Sequence, residues 1–279
     1  MTSNLDTGDI VLFAGVAPSG LLVRCALWTP WSHVGVVYKP TAGAVVAASA
    51  EPARARTLCS AVRSNVGVAL LLESVRHADD GATVAGACTG GGVRLALLCD
   101  RLRRGERCGR IAARRLVFAS PEAGRAYRAR IEASLLAADG PASLHRLLGT
   151  PFETSMADLV RSHFGTAPWW PWCSPLCVAL CGDDDEDVAY EATVAHSARQ
   201  RRSIFCSELV AIVHDDGGAL YAATAPPCDM YTPLDFADTR RSELRLRAGV
   251  TLGNIRTIRT RGARHCDHRH HSRSGGQFV

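Results

Sequence analysis

The chain has 279 residues, 47% of them hydrophobic, and a net charge of +5 at neutral pH. That is enough apolar material for one sizeable core, yet no stretch reaches the roughly 18 apolar residues of a membrane-spanning helix. Four arginines and one aspartate place +3 of the +5 in the last 19 residues, so the body lacks a broad basic surface and no specific nucleic acid is expected as a partner.

The first residues, MTSNLDTGD, show neither the basic start nor the apolar run of a secretory signal. Eleven cysteines is an odd number, and their spacing is irregular. They read as reduced thiols in a reducing intracellular compartment, not as a disulfide framework.

In chain order, residues 8–14 (GDIVLFA) read as a strand starting at a turn, and 21–28 as a short helix ending before Pro30. The β-branched run at 31–38 (WSHVGVVY) reads as the next strand, with His33 at its mouth. Residues 40–66 are rich in alanine, glycine and arginine without a clear period, and read as an insertion or loop. Residues 68–74 (VALLLES) form a further strand, in which Glu73 ends a wholly apolar run. A carboxylate there must reach solvent or find a partner, because burying it alone is costly. A Gly-rich loop at 90–92 leads into another strand at 93–98, and a strand at 111–118 follows. Ser120, Pro121 and Glu122 supply an N-cap, a first-turn proline and an early acid for a helix over about 121–137. A second helix is expected up to about His163, a turn or short helix at 232–236, and a last strand over 250–258.

The chain is arranged around residues 203–214 (SIFCSELVAIVH). Cys206, Leu209, Val210 and Val213 recur at helical period, and Asp215, Asp216, Gly217 and Gly218 stop the helix. With Ser203 as the cap, Cys206 falls in the first turn, where unpaired N–H groups and the helix dipole favour a thiolate. Such a cysteine is a candidate nucleophile that needs a histidine and an orienting group from elsewhere. Against this, buried cysteine often serves only as a small apolar filler.

GDIVLF with WSHVGVVY, then LLLES with GVRLALL, then FCSELVA, in that order, resemble the circularly permuted branch of the NlpC-like, papain-fold superfamily. That branch includes bacterial YiiX-like proteins, a related poxvirus family and, more distantly, the lecithin–retinol acyltransferases. The resemblance implies an α+β fold of permuted papain-like type, an antiparallel sheet with packed helices. It places His33 as the family histidine, Cys206 as the nucleophile and Glu73 as the carboxylate that orients the histidine. With it the chain reads as one catalytic domain over 1–262, while composition marks insertions near 40–66 and 166–202 and a disordered His/Arg-rich tail at 263–279.

The implied chemistry is covalent, a cysteine hydrolase of peptidase or amidase type forming a thioester on an amide or ester, without cofactor or metal. Peptide, isopeptide and lipid-linked acyl groups are all substrates open to it. The alternatives are a lipid acyl hydrolase or acyltransferase at a membrane surface, and a catalytically inactive binding module. The lipid alternative draws on residues 168–181, which hold three tryptophans and three cysteines without a charge and could contact a membrane peripherally. Cys173, Cys177 and Cys181 lack a matching fourth ligand for zinc. The tail residues His265, Cys266, His268, His270 and His271 chelate better by composition, but read as a solvated end.

Overall fold

The computed structural model describes residues 4–16, 18–26, 29–43, 55–76, 83–86, 91–104, 109–153, 203–220, 225–237 and 244–258. Its centre is an antiparallel sheet. β1 (Ile10–Ala14) lies between β2 (His33–Tyr38) and β6 (Arg110–Arg114), and β3 (Leu70–Val75) lies between β2 and β5 (Gly92–Leu97). β4 (Thr83–Ala85) and β9 (Arg256–Thr257) are the outer strands of a seven-stranded order β4-β5-β3-β2-β1-β6-β9. Every pairing is antiparallel. The molecule is therefore α+β.

Strand alternation divides the apolar residues between two cores. Ile10, Leu12, Val34, Val36, Leu70 and Leu72 enter the larger one. Val11, Phe13, Val37 and Leu71 enter the smaller one on the opposite face. Burial on both faces explains why β1 to β3 read as nearly continuous apolar runs. The smaller core is covered by Leu98 and Leu102 of helix α3 (Leu98–Arg104), which follows β5 directly.

The larger core is covered by α2 (Ala55–Ser64), α4 (Pro121–Leu136), α5 (Leu144–Leu147), α6 (Cys206–Asp216) and α7 (Pro233–Ala237). Helix α1 (Pro18–Ala26) follows β1, and a 3-10 turn occupies Cys228–Met230. Helix α4 starts as its sequence dictates, with the Ser120 hydroxyl accepting the Ala123 N–H at 3.1 Å. Helix α6 is central. All nine residues from Cys206 to His214 are buried, polar ones included, so this stretch has no solvent-facing side, where the sequence pattern implied a single apolar stripe. It packs on β2 and β3 on one side and is flanked by α4, the 3-10 turn and α7.

The expected strand at 111–118 is two strands. β6 belongs to the large sheet, and β7 (Leu116–Phe118) pairs with β8 (Val250–Leu252) in a separate ribbon. The break is fixed by buried polar contacts. Asp9 accepts the Leu116 N–H at 3.1 Å, and Arg114 donates to the carbonyls of Phe236, Ala237 and Gly253 at 2.9–3.0 Å. The expected strand at 250–258 is likewise divided, β8 going to the ribbon and β9 to the sheet. Part of the region read as a loop at 40–66 is helix α2, whose Leu58, Ala61 and Val62 enter the larger core at i, i+3 and i+4. β4, α3 and α5 were not expected from the sequence. Gly8 of the GDIVLF motif has φ +92°, and a Cβ there would stand 2.9 Å from the Tyr127 ring. The helix expected up to His163, the stretch at 166–202 and the tail at 263–279 lie outside the described residues.

At the far end of α6, His214 is buried and its Nδ1 shares a hydrogen bond with the Tyr127 hydroxyl at 2.5 Å. Burial lowers its pKa to about 4, whereas the unfolded chain would titrate near 6.5. A lowered histidine pKa removes stability as pH falls from about 6.5 to 4, by about 3 kcal/mol at pH 4. Burial raises the Asp9 carboxyl to about 6, and protonation there favours the folded state over the same window, so the test is a difference. His214→Gln is expected to stabilise the protein relative to the parent as pH falls from 6.5 to 4, read by urea denaturation at each pH. Parallel curves across that window would contradict it.

Candidate active site

Glu73 is wholly buried on β3, and three cations converge on it. His33 Nε2 stands 2.8 Å from Oε2. Arg94 donates to Oε1 through Nε at 3.1 Å and Nη2 at 2.8 Å. Arg101 donates from Nε to Oε1 at 2.9 Å and Oε2 at 3.1 Å. Burial would raise the carboxyl, but Arg101, the His33 hydrogen bond and charge, and Arg94 together hold its pKa well below the usual carboxylate range. Of the two outcomes open to a carboxylate at that strand end, solvent or a partner, Glu73 takes the partner.

Local structure explains each approach. Arg94 is directly opposite Glu73 in the β3–β5 register, so the two side chains leave the same face. Arg101 projects from α3, and its guanidinium lies 4.6 Å from the centroid of the Phe13 ring. His33 is the first residue of β2, opposite Phe13, with the rings 5.5 Å apart. Two residues on, Gly35 leaves the space that the sheet needs, since a Cβ there would meet Leu71 Cδ1 at 2.9 Å. The SHVG pattern therefore has a packing reason for its glycine.

Cys206 arrives from the other face of the sheet. It is the first residue of α6, and Ser74 fixes the approach by donating to the Ile204 carbonyl at 2.9 Å. The cap differs from the sequence expectation. Phe205, not Ser203, is the N-cap, and Glu208 reaches back to accept the Phe205 N–H at 3.3 Å. Ser203 instead hydrogen-bonds Glu153. Cys206 still lies in the first turn, at the positive end of the helix.

Cys206 lies close enough to the His33 ring for its charge to act on it. Nε2 is turned to Glu73, so Nδ1 is the ring nitrogen left for the thiol. An ionised carboxylate only accepts, so Nε2 carries a proton. Burial disfavours the imidazolium, but the charge and hydrogen bond of Cys206 and those of Glu73 outweigh it and raise His33 to about 9.

The three residues singled out from the sequence, His33, Glu73 and Cys206, thus meet at one end of the sheet. Arg94 and Arg101 were missed. One signal was available, because two apolar strands each carry a single charge of opposite sign, Glu73 in LLLESV and Arg94 in GVRLAL. Among the described residues no group of three His, Cys, Asp or Glu side chains could hold a metal ion. Cys173, Cys177, Cys181 and the tail histidines lie outside them. No described helix is long and apolar enough to cross a membrane.

No family model matches this chain, and no curated protein matches it.

The convergence on Glu73 makes its charge a structural requirement. Glu73→Gln preserves volume but removes the charge that the buried guanidinium of Arg94, 3% exposed, is bonded to. The substitution is expected to lower stability by about 3 kcal/mol near pH 7, measured by urea denaturation. A loss below about 1 kcal/mol, the range of surface pairs, would contradict this account of the cluster.

Proposed function

We propose that this chain is a cysteine-dependent acyl hydrolase of the circularly permuted papain-like type, acting through a thioester on an amide or ester bond. The observation that carries the reading is a first-turn cysteine beside a histidine whose other nitrogen is held by a buried carboxylate. The His–Glu–Cys chain order and the antiparallel sheet with α6 packed across β2 and β3 agree with the permuted fold.

In this reaction His33 Nδ1 holds the proton given up by the Cys206 thiol. The thiolate adds to the acyl carbonyl carbon, and the negative charge moves to the carbonyl oxygen. The Cys206 N–H, at the positive end of α6, is the nearest backbone donor to that oxyanion. Collapse breaks the bond to the leaving group, which takes the proton from His33, and a thioester remains. Water then loses a proton to His33 and attacks the thioester, releasing the acid and restoring the thiol. Glu73 stays ionised throughout, orienting the ring and stabilising the imidazolium. Peptide, isopeptide and lipid-linked acyl groups satisfy the same chemistry. A peripheral membrane contact through 168–181 belongs to residues outside those described.

Limited alkylation with iodoacetamide at pH 7, followed by peptide mapping, tests the nucleophile. Cys25 is exposed and Cys206 is buried, so accessibility alone would make Cys25 react first. Cys206 is expected to be modified before Cys25, Cys99 and Cys228, and His33→Ala should abolish that order. Hydrolysis of a small thioester should fall above pH 9, as His33 loses its proton from a pKa of about 9 and can no longer protonate the leaving group. Alkylation led by Cys25, with thioester turnover unaffected by Cys206→Ala, would refute the reading.

A further inference from the structure

The carboxylate that holds His33 is shared among three positively charged groups. Glu73 brings one negative charge, while Arg94 and Arg101 bring two permanent positive ones and the His33 imidazolium a third. Its oxygens are divided between them. Oε1 receives three guanidinium N–H bonds, two from Arg94 and one from Arg101. Oε2 receives His33 and the longer contact from Arg101.

That division has a consequence for proton transfer. A buried imidazolium paired with a carboxylate that has no other partner is held strongly, because little solvent screens the pair. An acid held that strongly is poorly matched to a reaction in which it must release its proton to a leaving group and regain one from water. Cations on the far side of the carboxylate draw its charge away from the ring and repel the ring's own charge. We propose that Arg94 and Arg101 are positioning residues that share the charge of Glu73 and thereby limit how tightly His33 holds its proton. The inference rests on His33 being the acid–base group of the proposed reaction.

The remaining charges near His33 leave this assignment to the two arginines. Just before β1, Asp9 lies at the end away from His33 and is bonded to the Asp6 and Leu116 N–H groups. On α3, Asp100 is paired with Arg103 at 3.1 Å, and Arg104 is exposed. On α6, Glu208 turns back to the Phe205 N–H, and His214, Asp215 and Asp216 are two turns or more beyond Cys206. On α7, Asp235 is bonded to Thr232. Among the described residues, Glu73, Cys206, Arg94 and Arg101 are the charges that bear on the ring, and the arginines act through Glu73.

Nuclear magnetic resonance of the full chain with isotope-labelled histidine, followed from pH 6 to 11, reads the His33 ring directly. The parent ring is expected to titrate near 9. In Arg101→Gln the midpoint should rise by roughly one pH unit, since a nearby cation has been removed. Arg101→Lys, which keeps the charge, should restore the parent midpoint to within a few tenths. Arg94→Gln should move it in the same direction, and where that buried change prevents folding, the Arg101 pair decides. A folded Arg101→Gln protein whose His33 midpoint is unchanged or lower overturns the proposal and leaves the arginine a packing role only. Failure of the hydrolase reading has a different signature. Cys206 would show no preferential alkylation in the parent, while the His33 midpoint still followed the arginine charge, which would retain the charge sharing and remove the reaction.

Discussion

A buried carboxylate with no screening solvent is the constraint on which this structure turns. Glu73 can be ionised inside the sheet only because Arg94, Arg101 and His33 reach it, and each reaches it through a different element. The β3–β5 register supplies Arg94, the helix that continues β5 supplies Arg101, and the first residue of β2 supplies His33. A one-residue slip of β5 would turn Arg94 to the other face and leave charges of both signs buried without partners. Pairing of the central strands is thereby tied to the electrostatics of the site.

The site also joins the two faces of the sheet. Strand alternation sends Glu73 and Arg94 toward the face of Leu71 and Phe13, while α6 and Cys206 pack on the opposite face. They meet because His33 sits at the end of its strand, where one ring touches a group from each side. Helix α6 supports this by being buried from Cys206 to His214, so its first turn is fixed by packing as well as by Glu208. Rigidity of this kind suits the proton transfer proposed between Cys206 and His33.

Much of the site was legible in the sequence because its residues stand where local patterns are strong. Cys206 opens an apolar helix with a clear stop, His33 opens a β-branched run, and Glu73 interrupts a wholly apolar one. The arginines were not legible in the same way. Arg94 gains meaning only through a cross-strand partner 21 residues away, and Arg101 lies on a helix that no sequence signal announced. The helix cap was misassigned for a related reason. Ser203 is a good local cap by type, but Glu153 claims its hydroxyl, a contact 50 residues distant. The division of residues 111–118 followed from Asp9 and Arg114, again through partners more than 100 residues away. Periodicity records which side is apolar, and it carries no record of long-range polar pairing.

The central claim is that Glu73 acts on Cys206 through His33 and by no other route. A double-mutant cycle on the alkylation rate of Cys206 tests it most directly, using His33→Ala, Glu73→Gln and the combined variant, each confirmed to be folded. The account predicts that Glu73→Gln slows alkylation in the presence of His33 and has no further effect once His33 is gone. Equal slowing by Glu73→Gln in both backgrounds would contradict it, because the carboxylate would then influence the thiol independently of the imidazole.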